Sequence, residues 1–150
     1  MRTHTNLLFA GLAMLLAGGA NAACSTAKLG GTWDFTFHEI AGVGYCQGLK
    51  FTKRGVLKKN AGDCVVHDEN DRDKVVDTAF SPNGGALKIN AKCSLNTAKD
   101  RFLNFKVGSE NVKLKVNSVR MSRDGTAMIM YTTDATGRNR YSHVWHGIKQ

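Results

Sequence analysis

From Gly31 onward the chain alternates between apolar and polar positions. Trp33, Phe35 and Phe37 are separated by Asp34 and Thr36 and followed by His38. This period of two belongs to a strand with one aromatic face buried and one polar face in water. The same pattern predicts further strands over residues 45–52, 56–59, 65–67, 74–80, 86–95, 102–107, 112–116, 126–133 and 140–148. In 86–95 it places Leu87, Ile89, Ala91, Cys93 and Leu95 on one face. Turn signals separate these stretches at Lys53-Arg54-Gly55, Asn60-Ala61-Gly62-Asp63, Ser81-Pro82-Asn83-Gly84-Gly85, Ser122-Arg123-Asp124-Gly125 and Asp134-Ala135-Thr136-Gly137. Helical periodicity is weak, and a helical turn fits only within 71–80. Short strands at this spacing, with the single proline in a turn, predict an all-β fold: a small antiparallel up-and-down β-barrel of about eight strands.

Ahead of this pattern stands a segment of a different kind. Arg2 and His4 precede an apolar run over residues 7–17, followed by Ala20-Asn21-Ala22. A positive start, an apolar run too short to span a bilayer and an Ala-x-Ala site read as a cleaved signal peptide over 1–22. Residues 23–150 then form a single β-barrel domain, since no repeat or linker offers a boundary. The leader predicts a periplasmic or secreted protein with no transmembrane anchor.

Four cysteines, Cys24, Cys46, Cys64 and Cys93, follow the leader. An even number in an oxidising destination reads as two disulfides, and no Cys-x-x-Cys spacing suggests zinc. If the hairpin turning at Lys53-Arg54-Gly55 continues, Cys46 faces about residue 62, within one bulge of Cys64. That favours Cys46–Cys64 with Cys24–Cys93, although Cys64–Cys93 would also suit neighbouring strands.

Charge adds one bias and excludes little. Lys and Arg number 21 against 12 Asp and Glu, a formal net charge of +9. Lys53, Arg54, Lys58 and Lys59 crowd one hairpin beside Lys50, Arg140 lies near the end, and together they form a candidate basic rim. Such a surface attracts acidic partners, for example lipopolysaccharide, anionic lipid or an acidic protein. Nucleic acid fits less well, because the aromatics sit on core faces and do not interleave with the lysines.

Chemistry-bearing motifs are sparse. No nucleophile elbow, phosphate loop or His-Glu-x-x-His stands in the chain, so no catalytic residue, metal ligand or cofactor is assigned. His143 and His146 are three apart, and on a strand they face opposite sides, one packed inward and one solvated. The run Asp68-Glu69-Asn70-Asp71-Arg72-Asp73 lacks the turn glycine and distal glutamate of a calcium loop and reads as a solvated loop. Trp33, Phe35, Phe37, Phe105 and Trp145 are the candidate ligand-lining residues of the barrel interior.

The opening Leu29-Gly30-Gly31-Thr32-Trp33, followed by a strand meander, resembles the calycin group that includes the lipocalins. The resemblance implies a barrel whose Trp closes one end beneath a basic residue of the last strand, by position Arg140. Leu29, Gly31, Trp33, Cys46, Gly55, Gly62-Asp63 and Cys64 are also similar in layout to bacterial periplasmic metalloprotease inhibitors. That second resemblance implies the Cys46–Cys64 bridge and an N-terminal arm, here residues 23–28, that enters a protease cleft. The expected function is thus a non-enzymatic barrel holding a small apolar ligand or an anionic envelope component. The alternative is a periplasmic inhibitor of a secreted protease or other hydrolase.

Overall fold

The alternation at Trp33 is realised as strand β1, Gly31–His38, whose Trp33, Phe35 and Phe37 point inward and are buried. The computed structural model describes residues 23–38, 42–70, 74–96, 101–135 and 143–150, with side chains for all of these but 68–70 and 74–77. The leader 1–22, the loop residues 71–73 and Arg140 fall outside the described residues.

Seven strands follow: β2 (Gly42–Phe51), β3 (Asp63–Asn70), β4 (Lys74–Gly85), β5 (Arg101–Val107), β6 (Glu110–Met121), β7 (Ala127–Asp134) and β8 (His143–Lys149). Each pairs antiparallel with its neighbour in sequence, and β8 pairs back onto β1, so the sheet closes into a barrel with no free edge. Inward positions on every strand supply one apolar core, with Trp33, Phe35, Phe37, Phe105 and Trp145 among its largest members.

Two disulfides pin the barrel. Cys46 and Cys64 sit directly opposite each other on β2 and β3 and are bonded. Cys24 is bonded to Cys93, which ties the N-terminal segment to the β4–β5 connection. Behind Cys24, a 3-10 turn over Thr26–Leu29 drives Leu29 into the barrel end at 0% exposure, and Trp33 Nε1 donates to the Leu29 carbonyl at 2.8 Å. This closed end is filled further by Leu57 and Leu87.

Several predicted elements differ. Residues 56–59 form no strand: Val56 and Leu57 make isolated bridges to Ala86 and Phe51, and β3 starts at Asp63. The predicted turn at Lys53-Arg54-Gly55 does form, with Thr52 N–H donating to the Val56 carbonyl and Lys58 N–H to that of Lys50, but the ladder is interrupted between Lys58 and Asp63, and Cys46 meets Cys64 instead of residue 62. Lys74 onward is strand, with no helical turn. The predicted turn at 81–85 is the end of β4, where Pro82 pairs with Phe105 and its carbonyl accepts from Asn60 N–H. A proline lacking a ladder donor and a pair of glycines mark an irregular strand here, with the register slipping between Pro82 and Gly85.

Residues 86–95 are likewise no continuous strand. Asn90 folds the segment back: its Oδ1 accepts from Lys92 and Ser94 N–H, and Cys93 adopts φ 60° on the way to its disulfide. The apolar alternation there comes from two legs that press Leu87, Ile89 and Leu95 into the barrel end.

Candidate functional site

The two ends of the barrel differ. At the closed end lie the N-terminal turn, the β2–β3 and β4–β5 connections and the β6–β7 turn. Toward the opposite end, β1, β3, β5 and β7 finish and β2, β4, β6 and β8 begin. A cavity of about 220 Å³ occupies the lumen on that side.

Its walls come from most of the strands. Phe37 on β1, Phe80 on β4, Phe105 on β5 and Trp145 on β8 form an aromatic lining, and Val66, Val112 and Leu114 complete the apolar part. The rings are mutually packed: Phe37 and Trp145 centroids are 4.3 Å apart, Phe80 and Phe105 meet edge-on at 5.3 Å, and Phe105 stacks on Trp145 at 5.8 Å and 11°. Such offset and edge-on pairs add to the burial of the rings and fix their planes. Trp145 is also oriented by its Nε1, which donates to Thr132 Oγ1 at 2.9 Å, and Thr132 is itself fully buried.

Glycines let the rings lie flat against the wall. Gly44 pairs with Phe37 across β1 and β2, and a Cβ at Gly44 would sit 2.0 Å from Phe37 Cζ. Gly147 does the same for Phe35, with 2.4 Å to Phe35 Cε1. Both glycines thus remove a side chain where a cross-strand ring takes its place.

Polar groups reach the cavity sparingly. Thr78 and Glu110 contribute to its lining, Glu110 being exposed at the start of β6. His143 lines it as well, at 3% exposure, with its ring edge-on to Phe37 at 5.5 Å. His146 faces outward, so the two histidines diverge as the strand period requires. Among the described residues, no group of three or more His, Cys, Asp or Glu side chains comes together as a metal site. No helix among them is long and apolar enough to cross a membrane.

The predicted lining residues therefore divide. Phe37, Phe105 and Trp145 line the cavity, while Trp33 and Phe35 do not. Alternation puts all of β1's aromatics inside, but depth separates them: Phe37 pairs with Trp145, whereas Trp33 pairs with Lys149 at the closed end. There Trp33 is capped by Lys149, whose Nζ lies 5.9 Å from the indole centroid. The predicted capping residue, Arg140, lies outside the described residues.

The predicted basic rim also lies elsewhere. Lys53, Arg54, Lys58 and Lys59 belong to the β2–β3 connection at the closed end, away from the cavity, and all four are exposed. Val66, Phe80, Val112 and His143 are not among the lining residues expected from the sequence. Strand alternation marks each as inward or polar without showing its level in the barrel. No protein-family model matches the chain, and no match was found among curated proteins or solved structures, so the cavity's role is argued from its own residues.

Proposed function

We propose that this chain is an exported, non-enzymatic barrel of calycin type that binds a small, flat, mainly apolar molecule in its lumen. The observation that carries the proposal is the aromatic-walled cavity of about 220 Å³ between Phe37, Phe105 and Trp145. A cavity of about 150 Å³ has room for benzene, so by volume this space suits a one- or two-ring molecule. The disulfides Cys24–Cys93 and Cys46–Cys64 are consistent with an oxidising compartment, in keeping with a periplasmic or secreted location.

Inhibition of a hydrolase by an N-terminal arm gains less support. Cys24 is tethered to Cys93 and Leu29 is buried in the barrel end, which holds residues 24–29 against the barrel.

Indole is a suitable probe. Calorimetric titration is expected to give one site per chain with a dissociation constant on the order of 0.1 mM, a modest free energy per heavy atom. Val112→Phe and Val66→Phe, which build into the cavity, are expected to abolish binding without unfolding the chain. Absence of indole binding, or undiminished binding in both variants, overturns the proposal.

A further inference from the structure

Cations from separate parts of the chain converge on the closed end of the barrel. Lys28 in the N-terminal turn donates to the Arg123 carbonyl of the β6–β7 turn. Lys149, at the end of β8, donates to the Lys28 carbonyl at 3.1 Å, and Lys88 donates to the Arg54 carbonyl at 2.9 Å. The stem of Lys53 lies over Gly30, which joins the β2–β3 connection to the N-terminal turn. Lys53, Arg54 and Arg123 are exposed, and Lys58 and Lys59 follow on the same connection. Among the described residues three acids share this end, the exposed Asp63 and Asp124 and the half-buried Asp34, against the eight cations just named. Asp124 is held by Ser122 Oγ and Thr126 N–H, and Asp34 accepts from Gly48 N–H and Gln150 Nε2.

The charge is not a uniform coat. Across the outside of β7, β8, β1 and β2 run two rows in register: Tyr131, Val144, His38 and Val43, then Ile129, His146, Thr36 and Tyr45. Neither row contains a lysine or arginine. Among the described residues, every exposed large apolar side chain other than Val56 lies on these four strands. Val56 is the exception, 42% exposed between Arg54 and Lys58 at the basic end.

We propose that the closed end is a docking surface for an anionic lipid bilayer, engaging headgroup phosphates through Lys53, Arg54, Lys58 and Arg123. Each lysine or arginine near an anionic leaflet strengthens attachment about fivefold, and the field acts within about a Debye length. A cluster on one flat end therefore binds more strongly than the same charge spread over the barrel. The apolar tip of Val56 among these cations suits the boundary between headgroups and acyl chains. A nucleic-acid partner fits less well, because Trp33 and Phe51, the aromatics beside the N-terminal turn and the β2–β3 connection, are buried and offer no stacking face. Docking by this end leaves the lumenal cavity on the side facing away from the membrane. This inference does not depend on what the cavity holds.

The test is co-sedimentation of the full disulfide-bonded chain with vesicles of phosphatidylcholine containing about one-third phosphatidylglycerol, against pure phosphatidylcholine. Binding is expected to the anionic vesicles alone and to disappear as the Debye length falls from about 10 Å toward 4 Å in added salt. K53E/R54E is expected to weaken binding by more than about twenty-five-fold, the factor for simply losing two cations at about fivefold each. K58E/K59E serves if the first variant melts below wild type. K113E/K115E makes the same change of net charge on β6 and is expected to weaken binding far less. Equal losses in the two kinds of variant overturn the proposal, as does salt-insensitive binding to pure phosphatidylcholine. Retention by single-stranded DNA or polyglutamate without vesicle binding overturns it too.

Discussion

The contact between Phe37 and Gly44 offers a sharp test of how the cavity wall is built. A methyl group at position 44 would lie 2.0, 2.3 and 2.6 Å from three atoms of the Phe37 ring. To recover an ordinary carbon–carbon contact near 3.5 Å, the ring must move by roughly 1.5 Å. It cannot move outward, because Gly44 is on the wall itself. Its other neighbours are Trp145 at 4.3 Å, His143 at 5.5 Å and Phe80 at 5.8 Å. The ring is therefore expected to shift into the cavity at an overpacking cost of about 1–3 kcal/mol. Gly44 has no left-handed backbone, so alanine recovers about 0.4–1 kcal/mol through the unfolded chain. The net loss for Gly44→Ala is about 1–2 kcal/mol.

Urea unfolding of Gly44→Ala, Phe37→Leu and the double variant measures this as a cycle. Phe37→Leu alone is expected to cost about 1–2 kcal/mol by truncating a buried side chain. With leucine at 37 the clash disappears, so the double variant is expected to be no less stable than Phe37→Leu. That outcome corresponds to a coupling energy of about 1–3 kcal/mol. Strictly additive losses would refute the account of the ring lying over Gly44.

Further outcomes follow from other contacts. Removing Cys24–Cys93, which closes 69 residues, is expected to cost about 4.4 kcal/mol, and removing Cys46–Cys64, which closes 18, about 3.2 kcal/mol. Paired Cys→Ser variants unfolded in urea check that order, and the reverse order contradicts it. Thr132→Val leaves Trp145 Nε1 as a buried donor without its acceptor, an expected loss of about 1–3 kcal/mol, read from the same transition. Asp124 has its carboxyl held down to about 2 from 3.8, chiefly by the Ser122 hydroxyl and also by Thr126 N–H. A depressed folded pKa contributes stability that is fully present above pH 3.8 and is lost as pH falls toward 2. Carbon-detected titration of Ser122→Ala is expected to show the Asp124 midpoint moving back up toward 3.8, and an unmoved midpoint refutes the assignment.

Local pattern carried much of the fold. Trp33, Phe35 and Phe37 announced β1 because strand periodicity depends only on neighbours along the chain. Ser122 to Gly125 marked the β6–β7 turn, where Ser122 N–H bonds to the Ala127 carbonyl, for the same reason. Residues 81–95 misled because Pro82, the two glycines and Asn90 carry turn chemistry that the fold spends on an irregular strand end and a doubled-back plug. The candidate site was less legible. Periodicity assigns a residue to a face, whereas membership of the cavity depends on height in the barrel, which is set by register between strands. That separates Phe37 from Trp33 and brings His143 and Val66 to the same wall. The basic end was hidden for a related reason, since Lys28, Lys88, Arg123 and Lys149 lie far apart in sequence and meet only where four connections converge.

The central claim is that the lumen beside Phe37, Phe105 and Trp145 is an unfilled apolar site. The most direct measurement is a crystal structure of the disulfide-bonded protein grown with indole. The account predicts one indole ring in the cavity, in contact with Phe105 and Trp145. A lumen closed by side chains, or indole bound only elsewhere on the barrel, would contradict it.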